Sequence, residues 1–173
     1  HLSNQGKYVE AEKLYRQSLA IREKINGRHD AEIASSLNNL ASVLGDQGKY
    51  AEAETLYRRS ISIEEKLLGP DHPDVALVLE NFGLNLSAQG KYIEAESMLQ
   101  RALAIRERTL GANHPDTAFS LNNLASHLSD LGKHVEAETL YRRAISIKEM
   151  ALGPNHPSLA TVLNNLASVM RKQ

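Results

Sequence analysis

Three sets of residues in this 173-residue chain have types and spacings that could do chemistry. The first is histidine before proline, at His72, His114 and His156. Imidazole is the commonest protein ligand for metals, but these three stand 42 residues apart, each at its own junction between segments. Ligands of one ion must lie within a few ångströms of each other, so they are expected to be junction residues, and no metal is expected. His127 and His134, within or beside helical segments, read as ordinary partly buried imidazoles. The second set is the paired carboxylates of "EAE", such as Glu52 and Glu54. Two carboxylates could share acid–base work, yet these open a helical segment, where the helix dipole favours negative charge. No serine, histidine and acid converge, and no phosphate-cradling loop is present. The expectation is a chain that is not an enzyme and takes no cofactor. The third set is paired amides: "SLNNLAS" at 36–42 returns at 120–126 and as "VLNNLAS" at 162–168, while the corresponding stretch at 78–84 reads "VLENFGL".

Composition narrows the classes. Hydrophobic residues make up 42% and charged residues 24%, ordinary values for a globular chain. Twenty basic residues against twenty-one acidic give a net charge of −1, which argues against a nucleic-acid partner. No apolar run approaches the roughly 20 residues needed to span a bilayer, so no membrane is expected. With no cysteine there are no disulfides or thiolate sites, which suits a cytoplasmic setting.

The elements that must position the amides follow from the repeat. Gly6, Gly48, Gly90 and Gly132 are spaced 42 apart, and so are Gly27, Gly69, Gly111 and Gly153. Each unit carries two helical patterns. In helix A, Ile33, Ala34, Leu37, Leu40, Ala41 and Leu44 recur at steps of three and four, and in helix B, Ala53, Leu56, Tyr57, Ser60, Ile61, Leu67 and Leu68 do the same. Gly48 closes A, and the two residues Lys49 and Tyr50 make the antiparallel connection to B. Gly69 ends B in the same way, Pro70 cannot continue it, and Pro73 suits the first turn of the next A. The first junction, "GRHDAEIA", has no proline, and Asp30 is its expected N-cap.

The predicted order is B (8–26), A (30–47), B (51–68), A (73–89), B (93–110), A (115–131), B (135–152) and A (157–172). Neither helix can bury its apolar stripe alone, so the units must stack as a solenoid. The expected fold is all-α, one array over 1–173. It has a partial repeat 1–29, repeats 30–71, 72–113 and 114–155, and a partial repeat 156–173. The opening at Leu2 and the closing A helix, whose Leu159, Val162, Leu163, Leu166 and Met170 have no B helix after them, suggest a fragment of a longer array or end-to-end self-association.

The pattern "LNNLA…GKYxEAExLYRRxIxIxExxLGPxHP" resembles the tetratricopeptide repeat, in the 42-residue form of kinesin light chains. Its positions fall on Leu40, Ala41, Leu44, Ala53, Tyr57 and Ser60, with Leu37 where many members carry tryptophan. The resemblance implies a right-handed superhelix of antiparallel helix pairs, with A helices lining a concave groove that binds peptides or protein segments. It also implies two familiar ligands, C-terminal carboxylates and acidic peptides, both of which need a basic groove. Asn38, Ser42, Asn81, Phe119 and Asn123 carry no positive charge, and Arg171 and Lys172 come only at the end, so a segment of mixed or neutral character is expected.

On helix A, Ser35, Asn38, Asn39, Ser42 and Asp46 fall opposite the apolar stripe. Two readings stand for the asparagines. The unbroken series Asn39, Asn81, Asn123 and Asn165 reads first as a ladder tying one A helix to the next; the varying series Asn38, Glu80, Asn122 and Asn164 reads first as ligand contact. Leu77 and Leu84 replace Ser35 and Ser42, and Phe119 replaces Ser35 in the third unit, which puts apolar side chains on a polar face. The expected groove site is therefore Leu77, Leu84 and Phe119 as an apolar floor, with the two asparagine series, Glu80 and Ser126 around it. Asparagine suits that task because it offers a donor and an acceptor to an extended chain. The alternatives are that the apolar residues pack on a neighbouring helix, that the array is a scaffold without a ligand, or that it regulates a larger protein.

Overall fold

A computed structural model describes residues 2–24 and 30–173, with side chains described from residue 7 onward. Gly27, the expected end of the first B helix, lies outside the described residues, as do residues 25 and 26 of that helix. Within them the elements are α1 (Leu2–Lys24), α2 (Asp30–Asp46), α3 (Tyr50–Leu68), α4 (Pro73–Ala88), α5 (Tyr92–Thr109), α6 (Pro115–Asp130), α7 (His134–Leu152) and α8 (Ser158–Lys172). No strand occurs among the described residues.

The short A-to-B turns follow from glycine. Gly48, Gly90 and Gly132 take φ of 76°, 76° and 77°. At the first, the Lys49 amide donates to the Leu44 carbonyl at 2.8 Å and the Gly48 amide to the Gly45 carbonyl at 2.8 Å, so both orphan carbonyls are satisfied. The B-to-A junction is different. The Gly69 amide still donates to the Glu65 carbonyl at 3.0 Å, but with φ 90° and ψ 157° the chain then leads out extended. A residue before proline is disfavoured in the helical region, and Pro70 follows directly.

The helix N-termini hold a feature that the sequence reading missed. His72 Nδ1 accepts from the Asp74 amide at 3.2 Å, His114 Nδ1 from the Asp116 amide at 3.1 Å, and His156 Nδ1 from the Ser158 amide at 3.2 Å. His72 and His114 are N-caps, and His156, one residue before the N-cap Pro157, makes the same bond, each satisfying a donor that a helix start leaves unpaired. Asp30 opens α2, where it and Glu32 give the first turn negative charge. α1 also runs unbroken through Gly6, so that Leu2 belongs to the same helix and not to the tail of an A helix before it.

The chain divides into two compact units, His1–Ala95 and Glu96–Gln173. In the first, α1 packs on α2, α2 on α3 and α3 on α4, and α2 also touches α4. Its core includes Leu37, Leu40 and Leu44 of α2, Ala53 and Tyr57 of α3, and Val75, Leu79, Phe82 and Leu86 of α4. Each fully buried leucine stabilises by about 2 kcal/mol. Tyr57 and Phe82 meet with ring centroids 5.7 Å apart. In the second unit, Leu121, Leu124 and Leu128 of α6 close on Ala137, Tyr141 and Ile147 of α7 and on Val162, Leu166 and Val169 of α8. The closing helix is better covered than its sequence suggested. Leu159, Val162 and Leu166 are buried, leaving Leu163 and Met170 about half exposed, because α6 and α7 already supply the face they need.

Candidate functional site

The amides sit where one A helix meets the next. Asn81 Nδ2 donates to Asn38 Oδ1 at 3.0 Å, and in the second unit Asn165 Nδ2 donates to Asn122 Oδ1 at 3.1 Å. Each rung joins the second asparagine of one repeat to the first asparagine of the repeat before it, so one series does not serve structure while the other serves a ligand. Asn38 is buried, and Glu80 is only 1% exposed; neither occupies the open position assigned to that series, Asn38 because it faces the next A helix and accepts the rung bond from Asn81. Asn39 and Asn164 are exposed, and Asn81, Asn122, Asn165 and Ser126 are half-buried. Asn123 is buried, and its Nδ2 has no partner.

The apolar replacements do face outward. Leu77, Leu84 and Phe119 are 43%, 45% and 46% exposed. Leu77 and Leu84 lie two turns apart on one face of α4. Phe119 on α6 carries the Arg106 guanidinium over its ring at 5.6 Å. At the place of Leu84 the other repeats use serine for a different role. Ser42 bonds to Tyr57 and Ser126 to Tyr141, and burial holds both phenols above the usual tyrosine range.

Two pockets within the first unit border the A-helix residues singled out above. One, of about 420 Å³, is lined by Ser42, Gly45, Asp46, Tyr50, Tyr57, Asn81, Leu84, Asn85 and Ala88. Asn85 is 6% exposed; its Oδ1 accepts from Gln89 at 2.9 Å, while its Nδ2 has no partner. A Cβ on Gly45 would stand 3.3 Å from that nitrogen, so glycine there leaves the amide its room. The other pocket, of about 240 Å³, is lined by Ala31, Ser35, Asn38, Glu64, Leu67, Leu68, Asp74, Leu77 and Val78. Burial, and then the nearby Asp74 charge, push the Glu64 carboxyl up to about 7. The sequence reading passed over both Asn85 and Glu64. The signal was present in the repeat, where the 42-residue counterparts of Glu64 are Arg22, Arg106 and Lys148.

The outer edge is held by charge. Glu12 pairs with Lys49 at 2.8 Å, Glu54 with Lys91 at 2.7 Å, and Glu96 with Lys133 at 3.0 Å. The lysine bonds hold the Glu12 and Glu54 carboxyls down at about 2. The second carboxylate of "EAE" is thus a clasp to a lysine of the next turn.

This geometry can be set beside known proteins. The profile of the tetratricopeptide repeat matches residues 1–63, 32–108, 78–150 and 120–173, which together cover the chain. The chain belongs to the tetratricopeptide repeat family. Among solved structures it is similar to BtubC (BKLC) from P. vanneervenii, at 22% identity and a TM-score of 0.85, covering 98% of this chain and 68% of that one. It is also similar to a kinesin light chain-like protein of nearly identical TPR-like repeats from Podosopora anserina. There the identity is 27% and the TM-score 0.79, with 98% of this chain and 80% of that one covered. A variant of the same protein gives 27% and 0.80. No curated protein matches the sequence. The fold is therefore the all-α solenoid expected from the repeat. Tetratricopeptide repeats are generally protein-interaction modules and generally not catalytic. No helix among the described residues is long and apolar enough to cross a membrane.

Proposed function

We propose that the chain is a non-catalytic protein-interaction module, acting in the cytoplasm, that holds a protein segment of mixed or neutral character along the faces of its A helices. The observation that carries this reading is the pocket of about 420 Å³ lined by Leu84 and by Asn85, whose buried Nδ2 has no partner. An unpaired buried donor costs about 1–3 kcal/mol. A backbone carbonyl of a docked segment would satisfy it, with the Asp46 carboxylate placed to accept from a neighbouring amide and Leu84 to receive an apolar side chain. Its size falls within the range of ligand sites. In the second unit, Phe119, Asn122, Asn123, Ser126, Asn164 and Asn165 form the corresponding surface, where Asn123 repeats the motif of a buried amide without a partner. Leu77, Glu80, Asn81, Asn38 and Asn39 complete the proposed set, the rung asparagines acting mainly by fixing the A helices.

The test is selection of peptides from a displayed random library on the wild-type chain, followed by calorimetry of one enriched peptide against Leu84→Ser, Asn85→Asp and Phe119→Ala, with melting curves beside it. Affinity should fall about tenfold or more for Leu84→Ser with little change in melting. Unchanged affinity in all three variants would remove this reading and leave a scaffold held by its amide rungs.

A further inference from the structure

The junction between a B helix and the following A helix recurs, and in two copies an arginine fills it. Arg22 reaches α2, donating to the Glu32 carbonyl at 3.3 Å and to Ser36 Oγ. In the second unit Arg106 does the same on α6, donating to the Asp116 carbonyl at 2.8 Å while lying over the Phe119 ring. The equivalent residue on α3 is Glu64. Here a guanidinium has been exchanged for a carboxylate, and the counterpart of Ser36 has become Val78. The pocket of about 240 Å³ opens at this copy, with Glu64 and Asp74 both on its wall. Glu64 is 7% exposed, and its Oε2 is buried with no partner.

We infer that this pocket receives an arginine side chain from a partner protein, which takes the place that Arg22 and Arg106 hold in their own junctions. Charge complementarity and the geometry of the two filled copies support this occupant. The guanidinium would pair with Glu64 and Asp74, donate to the Asp74 carbonyl as Arg106 donates to that of Asp116, and lie against Leu77 where Arg106 lies against Phe119. A guanidinium presents several donors in a planar fork and is more weakly hydrated than an ammonium, which favours arginine over lysine in a half-closed pocket. The volume is below that of most ligand sites, so it suits one side chain. The inference goes beyond the groove reading, because a different pocket with different chemistry carries it.

The experiment uses the full chain labelled with ¹³C and ¹⁵N and the probe acetyl-Gly-Arg-Gly-amide, with citrulline replacing arginine in the control peptide. At pH 7.5 the arginine peptide should give saturable shifts at Glu64, Asp74 and Leu77 and lower the titration midpoint of the Glu64 carboxyl by about one unit; the citrulline peptide should do neither. Glu64→Gln should weaken the arginine peptide at least fivefold. Glu64→Arg should abolish its binding with the melting temperature kept or raised, since it restores the residue type of the Arg22 and Arg106 junctions. Should Glu64→Arg fail to fold, the isosteric Glu64→Gln still decides. Equal response to both peptides, no response to either, or full binding by Glu64→Gln would overturn the inference. None of these outcomes involves Leu84 or Asn85, so failure here is distinct from failure of the groove reading.

Discussion

Arg106 and Glu64 occupy the same place in successive repeats, and the two junctions around them behave as opposites. At Arg106 the guanidinium is buried, bonded to the Asp116 carbonyl and seated on Phe119. At Glu64 the carboxyl is buried, lies near another carboxylate, and borders an open pocket. Both backbones are built alike, with His114 and His72 capping the next helix in the same way. The difference is therefore a matter of side chains on a fixed frame: the repeat supplies the frame, and a departure from it leaves one junction open.

The comparison can be broken most severely from the filled side. Arg106→Glu would place an unpartnered carboxylate where a bonded guanidinium sits, and should cost about 3 kcal/mol in denaturant unfolding. A loss below 1 kcal/mol would mean that the two junctions do not differ as described. From the open side the sign reverses. The folded Glu64 carboxyl titrates at about 7, above its unfolded value, so the folded state holds the proton more tightly and stability falls as pH rises from about 4.5 through 7. Glu64→Gln should therefore match wild type at pH 5 and exceed it by about 1–3 kcal/mol at pH 8. Unfolding curves at the two pH values check this.

Two smaller effects sharpen how much the frame itself contributes. Asn81→Ala and Asn165→Ala each remove one rung and should cost about 1 kcal/mol, with the same size in both units. Lys91→Ala should cost less than about 1 kcal/mol, because its pair with Glu54 is partly solvated. That small contribution should also vanish in acid, since the Glu54 carboxyl is held low and its stabilisation is lost as pH falls toward 2. Thermal melts with and without salt would measure both.

The fold was legible because the apolar steps, the glycines and the 42-residue period all point to one arrangement. Helix ends at Asp46, Leu68 and Asp130 came within a residue of the expected ones. The site was only partly legible. Exposure of Leu77, Leu84 and Phe119 followed from helical phase alone. The rungs were half legible: a ladder through Asn81 and Asn165 was expected, but not its pairing with Asn38 and Asn122, because a period of 42 hides a partner offset by one. The histidine caps were missed because histidine is not among the usual N-cap residues. Glu64 was overlooked for another reason: on a charged, mostly solvated helix its sign reversal draws no notice until burial is known.

Hydrogen exchange on the chain with a library-selected peptide bound tests most directly whether the departures in the second repeat form the binding surface. Protection is predicted to concentrate on α2 and α4 around Ser42, Asn81, Leu84 and Asn85. Protection confined to α1 or α7, or none at all with the peptide saturating, would contradict it.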